Sequence, residues 1–250
     1  MSDMVYAPNK IRKPFPVGYT GLTLLLALLF FLSIPACWTL ANVYGVDRRV
    51  ASNSFYLVFF LVYAGVLALP WLNLAGQESL TPEQRLGKMC VAWICLEIAA
   101  AIFWSGPWLL FPHAIVGGKG QMWAYGWWAY MDGGDTRYTV TDAGLLAMEN
   151  MGIFTATACA IILLRRLMTG RFTDAQLVAL ILFQLTEFGV IATYYVSGFH
   201  LNMSELGGFW GITIKYVGSN ILWLVMPCVV FYWAGQLLLT RRAEAVMAGR

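Results

Sequence analysis

Glu97, Glu149, Glu187 and Lys215 each lie within stretches of sequence otherwise apolar enough to be buried in lipid. A charge at the bilayer centre costs about 2.5–3.5 kcal/mol on insertion scales, so an ionisable group there marks a functional site by default. Three carboxyls and one amine in a short chain point to a polar cavity between helices. A carboxylic acid shielded from water can give a proton to an alkene, and a second carboxylate can take one away. The carbocation between those steps is stabilised by aromatic faces, and apolar walls exclude the water that would trap it. Sterols, terpenoids and similar lipids are the substrates that reach such a site from the bilayer.

The neighbours of these acids recur at helical spacing. Trp93, Glu97, Trp104 and Trp108 are separated by 4, 7 and 4 residues and share one face at about 100° per residue. Gln184, Glu187 and Tyr194 share another, and Tyr216, Asn220 and Trp223 a third. Aromatic stripes of this kind are ordinarily packing. Here each carries a carboxylate or an amide, which needs a partner or a proton when buried. The candidate catalytic residues are therefore Glu97, Glu149 and Glu187. The candidate substrate-binding residues are Trp93, Trp104, Gln184, Tyr194, Lys215, Tyr216, Asn220 and Trp223. Lys215 and Glu149 fall at similar depth and are expected to form an ion pair, which leaves Glu97 or Glu187 as the acid.

Six membrane spans must position these groups. They are expected near 19–43, 55–76, 89–111, 145–167, 175–197 and 208–239, each long enough to cross a hydrocarbon core of about 30 Å. The last is long for one crossing and must tilt or project into water. The first apolar run is longer than the roughly 7–15 residues of a signal-peptide core, so it reads as a span. Composition agrees: the chain of 250 residues is 60% hydrophobic and only 12% charged. The expected class is an all-α polytopic membrane bundle, one domain over 1–250, with two spans and a loop over 19–83 and a four-helix unit over 84–238.

Charge sets the expected orientation. Lys10, Arg12, Lys13, Arg85, Lys88, Arg165, Arg166, Arg171, Arg241, Arg242 and Arg250 fall on one side, and only Arg48, Arg49, Lys119 and Arg137 on the other. The positive-inside rule then places both termini in the cytoplasm. The net charge of +3 reflects this bias and calls for no nucleic-acid partner.

The five cysteines lie within spans without metal-ligand spacing, and His113 and His200 stand apart in or near loops, so neither a metal nor a cofactor is expected. The loop over 121–138 is dense in Trp and Tyr. It reads as an interfacial belt, as a folded lid in which Asp132, Gly133, Gly134 and Asp135 turn the chain and Arg137 closes an internal ion pair, or as both at once.

Gly-Asp-Thr-Arg-Tyr at 134–138, Met-Glu at 148–149, Gln184, the aromatic loop from Trp127, and Asn-Ile-Leu-Trp-Leu-Val-Met-Pro at 220–227 resemble the emopamil-binding protein family, the sterol Δ8–Δ7 isomerases of the EXPERA group. The resemblance covers residues 84–238 and implies that Glu149, Asn220 and Trp223 line an intramembrane ligand cavity. The family's paired His and Glu of its second helix correspond here to Glu97 and Ala101. The family's Gly-Asp after the glutamine is absent, with Glu187 nearby instead. Lys215 and one N-terminal span are additional.

Two functions follow. One is a membrane isomerase or cyclase that protonates an alkene in a lipid. The other is a non-catalytic lipid-binding or transport protein of the same fold. Carboxyls left free of ion pairs at an apolar cavity favour the first, and acids tied up in pairs the second. A retinal-type Schiff base at Lys215 is disfavoured by six spans and by the lack of a carboxylate four or five residues before it. The expected partners are a lipid-soluble substrate and membrane lipid, and a homodimer is left open. The expected location is the endoplasmic reticulum membrane in a eukaryote or the inner membrane in a bacterium.

Overall fold

A computed structural model of the chain describes residues 15–132, 134–140, 142–198 and 208–248. Lys10, Arg12, Lys13, Gly133, His200 and Arg250, named above, lie outside the described residues. Six helices are long and apolar enough to cross a membrane: Tyr19–Asn42, Arg48–Trp71, Pro82–Leu110, Ala143–Thr169, Asp174–Gly198 and Gly208–Ala248, the first to sixth spans. The protein is an all-α integral membrane bundle.

Several helices begin earlier than hydropathy places them, because polar caps add turns that an apolar window does not see. The second starts at Arg48, where the Asp47 carboxylate accepts from the backbone N–H of Arg49 at 2.8 Å and of Val50 at 3.2 Å. The third starts at Pro82 behind a capping box between Thr81 and Gln84. The fourth is capped by Asp142 through the Leu145 N–H at 2.9 Å and ends at Gly170, whose φ of 75° suits a residue without Cβ.

The fifth and sixth spans pack along their lengths, and the fourth fills the groove between the third and fifth. The first span leans on the second, where Gly65 admits the Leu26 side chain, and on the aromatic loop. A short parallel strand pair joins Phe15–Gly18 to Leu74–Ala75. One buried cluster gathers Tyr125, Trp128, Tyr130 and Tyr138 of the loop against Phe55, Tyr56 and Tyr194. A second unites Cys90, Trp93, Ile94, Leu177, Leu180 and Val230 of the third, fifth and sixth spans.

Two spans widen locally into π-helix, at Ala101–Ser105 and Gly211–Gly218. Pro107 has no N–H and its ring would strike the carbonyl four residues back, so the preceding turn opens. Gly106 completes the arrangement: a Cβ there would come 2.9 Å from the Ala101 carbonyl. The widened turns present Trp104 and Ser105 from the third span and Lys215 and Tyr216 from the sixth.

Candidate active site

The third span carries Glu97 into the interior, where its side chain is 4% exposed. Trp93, one turn earlier, donates its indole N–H to Glu97 Oε1 at 2.7 Å. Gln184 of the fifth span donates its amide to both carboxyl oxygens, at 3.1 and 2.9 Å. Glu187, three residues after Gln184, takes a hydrogen bond from the Thr155 hydroxyl at 2.6 Å. It interacts electrostatically with both Glu97 and Glu149. Three carboxyls from three helices thus converge on one interior.

Glu149 sits nearer the aromatic loop. The Tyr138 hydroxyl donates to its Oε1, Trp104 donates its indole N–H at 3.4 Å, and the Ser105 hydroxyl bonds the same carboxyl. The Trp104 ring is stacked on Trp127 at 5.9 Å and meets Tyr130 and Tyr138 edge-on. The Tyr130 hydroxyl bonds that of Tyr194 and accepts from Asn220 Nδ2 at 3.1 Å. Burial pushes the Tyr130 and Tyr138 phenols above their ordinary value of 10.0, so both stay neutral donors.

The aromatic loop is a folded lid. Its helix Tyr125–Met131 packs on the second span. Asp135 and Arg137 form the internal ion pair that the sequence leads one to expect, with Arg137 Nε at 2.9 and 3.0 Å from the two carboxylate oxygens. Arg137 also reaches Ser197 at 2.8 Å and lies 5.2 Å over the Tyr194 ring, tying the lid to the fifth span.

Lys215 is placed otherwise than expected. It does not meet Glu149: Nζ donates to Ser52 Oγ at 2.7 Å and to the Asp132 backbone carbonyl, with the side chain 0% exposed. Asp132 is in turn held by Arg48 at 2.8 Å and Lys119 at 3.6 Å. The π-helical turn around Lys215 aims the amine at the second span and the lid, and no helical wheel with regular spacing anticipates that direction.

A cavity of about 1480 Å³ runs between the helices. Glu97, Glu149, Glu187, Trp104, Tyr194, Asn220 and Trp223 all line it, so the residues implied by the family resemblance share one space. Trp93, Gln184, Lys215 and Tyr216 stand behind its wall. Trp93 and Gln184 hold Glu97, Trp93 packs edge-on against Trp223 at 4.8 Å, and Tyr216 donates to the Tyr195 carbonyl at 3.0 Å. Ser105, Trp127, Tyr130, Tyr138 and Thr155 also line the cavity and are not among the candidates read from sequence. Tyr138 follows Arg137 directly, and that adjacency was the available signal. Thr155 is a lone hydroxyl with no spacing relation to Glu187.

Over 192 residues the chain is 26% identical to the 3-beta-hydroxysteroid-Delta(8),Delta(7)-isomerase of Cavia porcellus, an alignment that covers 72% of this chain and 78% of that protein. No protein-family model matches the chain, and no solved structure does.

Proposed function

We propose that this protein is a divergent member of the emopamil-binding protein family in the EXPERA group. In this reading it is an intramembrane isomerase or cyclase acting on a sterol, terpenoid or similar lipid. The observation that carries the proposal is the state of the three acids. Among the described residues none of them is in an ion pair, and each is held by neutral donors at the edge of one apolar, ring-lined cavity. That arrangement favours catalysis over passive binding. The distant sterol isomerase relative supports the same reaction class.

Several buried carboxyls cannot all carry charge cheaply, so the group holds at least one proton. Glu97 or Glu187 gives that proton to one alkene carbon. The O–H bond breaks, a C–H bond forms from the π pair, and the neighbouring carbon becomes cationic. The faces of Trp104, Tyr194 and Trp223 meet that charge. A C–H bond beside the cation then breaks, its electron pair forms the new alkene, and the proton passes to a second carboxyl. Glu149, held by Tyr138, Trp104 and Ser105 on the same cavity and at the end nearer the lid, is assigned this accepting role. Attack by a second alkene before proton loss would close a ring instead. Lys215 is turned away towards Ser52 and Asp132 and does not line the cavity, so its amine does not face the cation.

Mass spectrometry of lipids that co-purify with the protein tests the reading. Wild type should retain an unsaturated lipid together with its double-bond isomer or cyclised form. Glu149→Gln should retain only the unreacted lipid. Identical lipids in both would overturn it.

A further inference from the structure

The cavity does not end at the carboxyls. At the end of the bundle away from the lid it reaches Lys88 of the third span, Arg166 and Arg171 at the close of the fourth, and Arg241 of the sixth. Arg241 is already engaged, with Asp174 at 3.0 Å and the Phe172 carbonyl at 2.7 Å. Lys88, Arg166 and Arg171 have no ion-pair partner among the described residues. Lys88 lies 5.7 Å over the Tyr19 ring and Arg166 5.5 Å over that of Phe172, so rings hold these cations at the mouth without neutralising them. Glu83 is the acid among the lining residues at this end.

A basic end is general in membrane proteins, but these cations are selected by direction. Arg85 of the same end is taken up by the carbonyls of Pro70 at 2.6 Å, Leu72 at 3.0 Å and Gln77 at 2.9 Å. Arg165 and Arg242 do not line the cavity, whereas their sequence neighbours Arg166 and Arg241 do. Cations from two spans are thus left free around one mouth of an apolar channel, whose interior holds the carboxyls.

We propose that the cavity takes an acidic amphiphile. Its carboxylate or phosphate head is held by Lys88, Arg166 and Arg171, and its unsaturated tail runs inward to Glu97 and Glu187. The assignment of the tail rests on the reading of those acids as the reaction centre. Lys88 and Glu97 are on one helix, nine residues apart, so their backbone positions are separated by about 13 Å along the helix axis, which sets the scale of the distance from head to reacting alkene. A neutral sterol hydroxyl would leave the three cations to water.

The test uses the full-length protein in phosphatidylcholine nanodiscs, with tritiated oleic acid and oleyl alcohol as probes and empty discs as blanks. The acid should bind about a hundredfold more tightly than the alcohol, from roughly additive surface attractions to the three cations. Lys88→Gln/Arg166→Gln/Arg171→Gln should bring the two near parity, and Arg171→Gln alone, at an exposed position, should lower the preference in part. Arg165→Gln/Arg242→Gln should keep it. Parity in wild type, or equal loss in the Arg165/Arg242 control, would overturn the proposal. So would full displacement of the acid by phosphatidylglycerol in the disc, which would assign the mouth to bilayer lipid. Glu97→Gln/Glu187→Gln should keep the acid preference while losing turnover. Retained turnover there, with the preference intact, would overturn the reaction centre and leave the head-group site standing.

Discussion

Gln184 gives one amide group to both carboxyl oxygens of Glu97, at 3.1 and 2.9 Å, bridging the fifth and third spans at the centre of the bundle. With the Trp93 indole at 2.7 Å, it fixes the acid in one orientation beside the cavity. Glu97→Gln would set two amide N–H₂ groups against each other and remove the proton donor. Turnover should fall about a hundredfold or more, in the usual range for a lost acid or base, while retention of substrate changes little. Unchanged turnover would remove Glu97 from the chemistry.

Lys215→Met should lower thermal stability, because an amine donor to Ser52 and Asp132 is lost from a fully buried site. Each such hydrogen bond is worth about 0.5–1.5 kcal/mol. Combined with Ser52→Ala, its effect should be less than additive, since the two share one contact. Combined with Glu149→Gln it should be additive. Strong coupling to Glu149 would restore the ion pair that the structure does not contain.

Much of this was legible in the sequence for definite reasons. Apolar runs of bilayer length report the six spans directly, and an ionisable residue inside one is conspicuous, so Glu97, Glu149 and Glu187 stand out. Helical spacing also pairs Trp93 with Glu97 correctly. Partnership across helices is not a property of spacing. Thr155 with Glu187 and Lys215 with Ser52 depend on rotation about each helix axis, and for Lys215 a π-helical turn shifts that rotation further. Lid and belt share one composition, and the folding of the loop is read from its contacts, such as Arg137 with Ser197 and Tyr130 edge-on to Trp104.

Tyr130 gives a pH dependence of stability. Its phenol is raised above the ordinary 10.0 by burial, so an unfolded chain releases this proton first. The resulting stability is present in full below about pH 10 and is lost as pH rises beyond it. Tyr130→Phe should be less stable at pH 8 by about 1–2 kcal/mol, through the lost bonds to Asn220 and Tyr194. Above pH 10 its melting temperature should fall less steeply than that of wild type. Parallel curves would contradict this role.

Sidedness is checked with an impermeant thiol reagent. Cysteine at Gly120, where an added side chain meets nothing within 4 Å, and cysteine at exposed Arg242 should label from opposite faces of the membrane. Labelling of both from one face would overturn the topology.

In the proposed reaction the cavity carboxyls move a proton onto and off a lipid alkene. Reconstituted protein incubated in D₂O with the unsaturated lipid that co-purifies with it measures this directly by mass spectrometry. Wild type should introduce one deuterium per isomerisation, and Glu97→Gln/Glu187→Gln none. A lipid left free of deuterium by wild type, or labelled equally by the double variant, would contradict the claim.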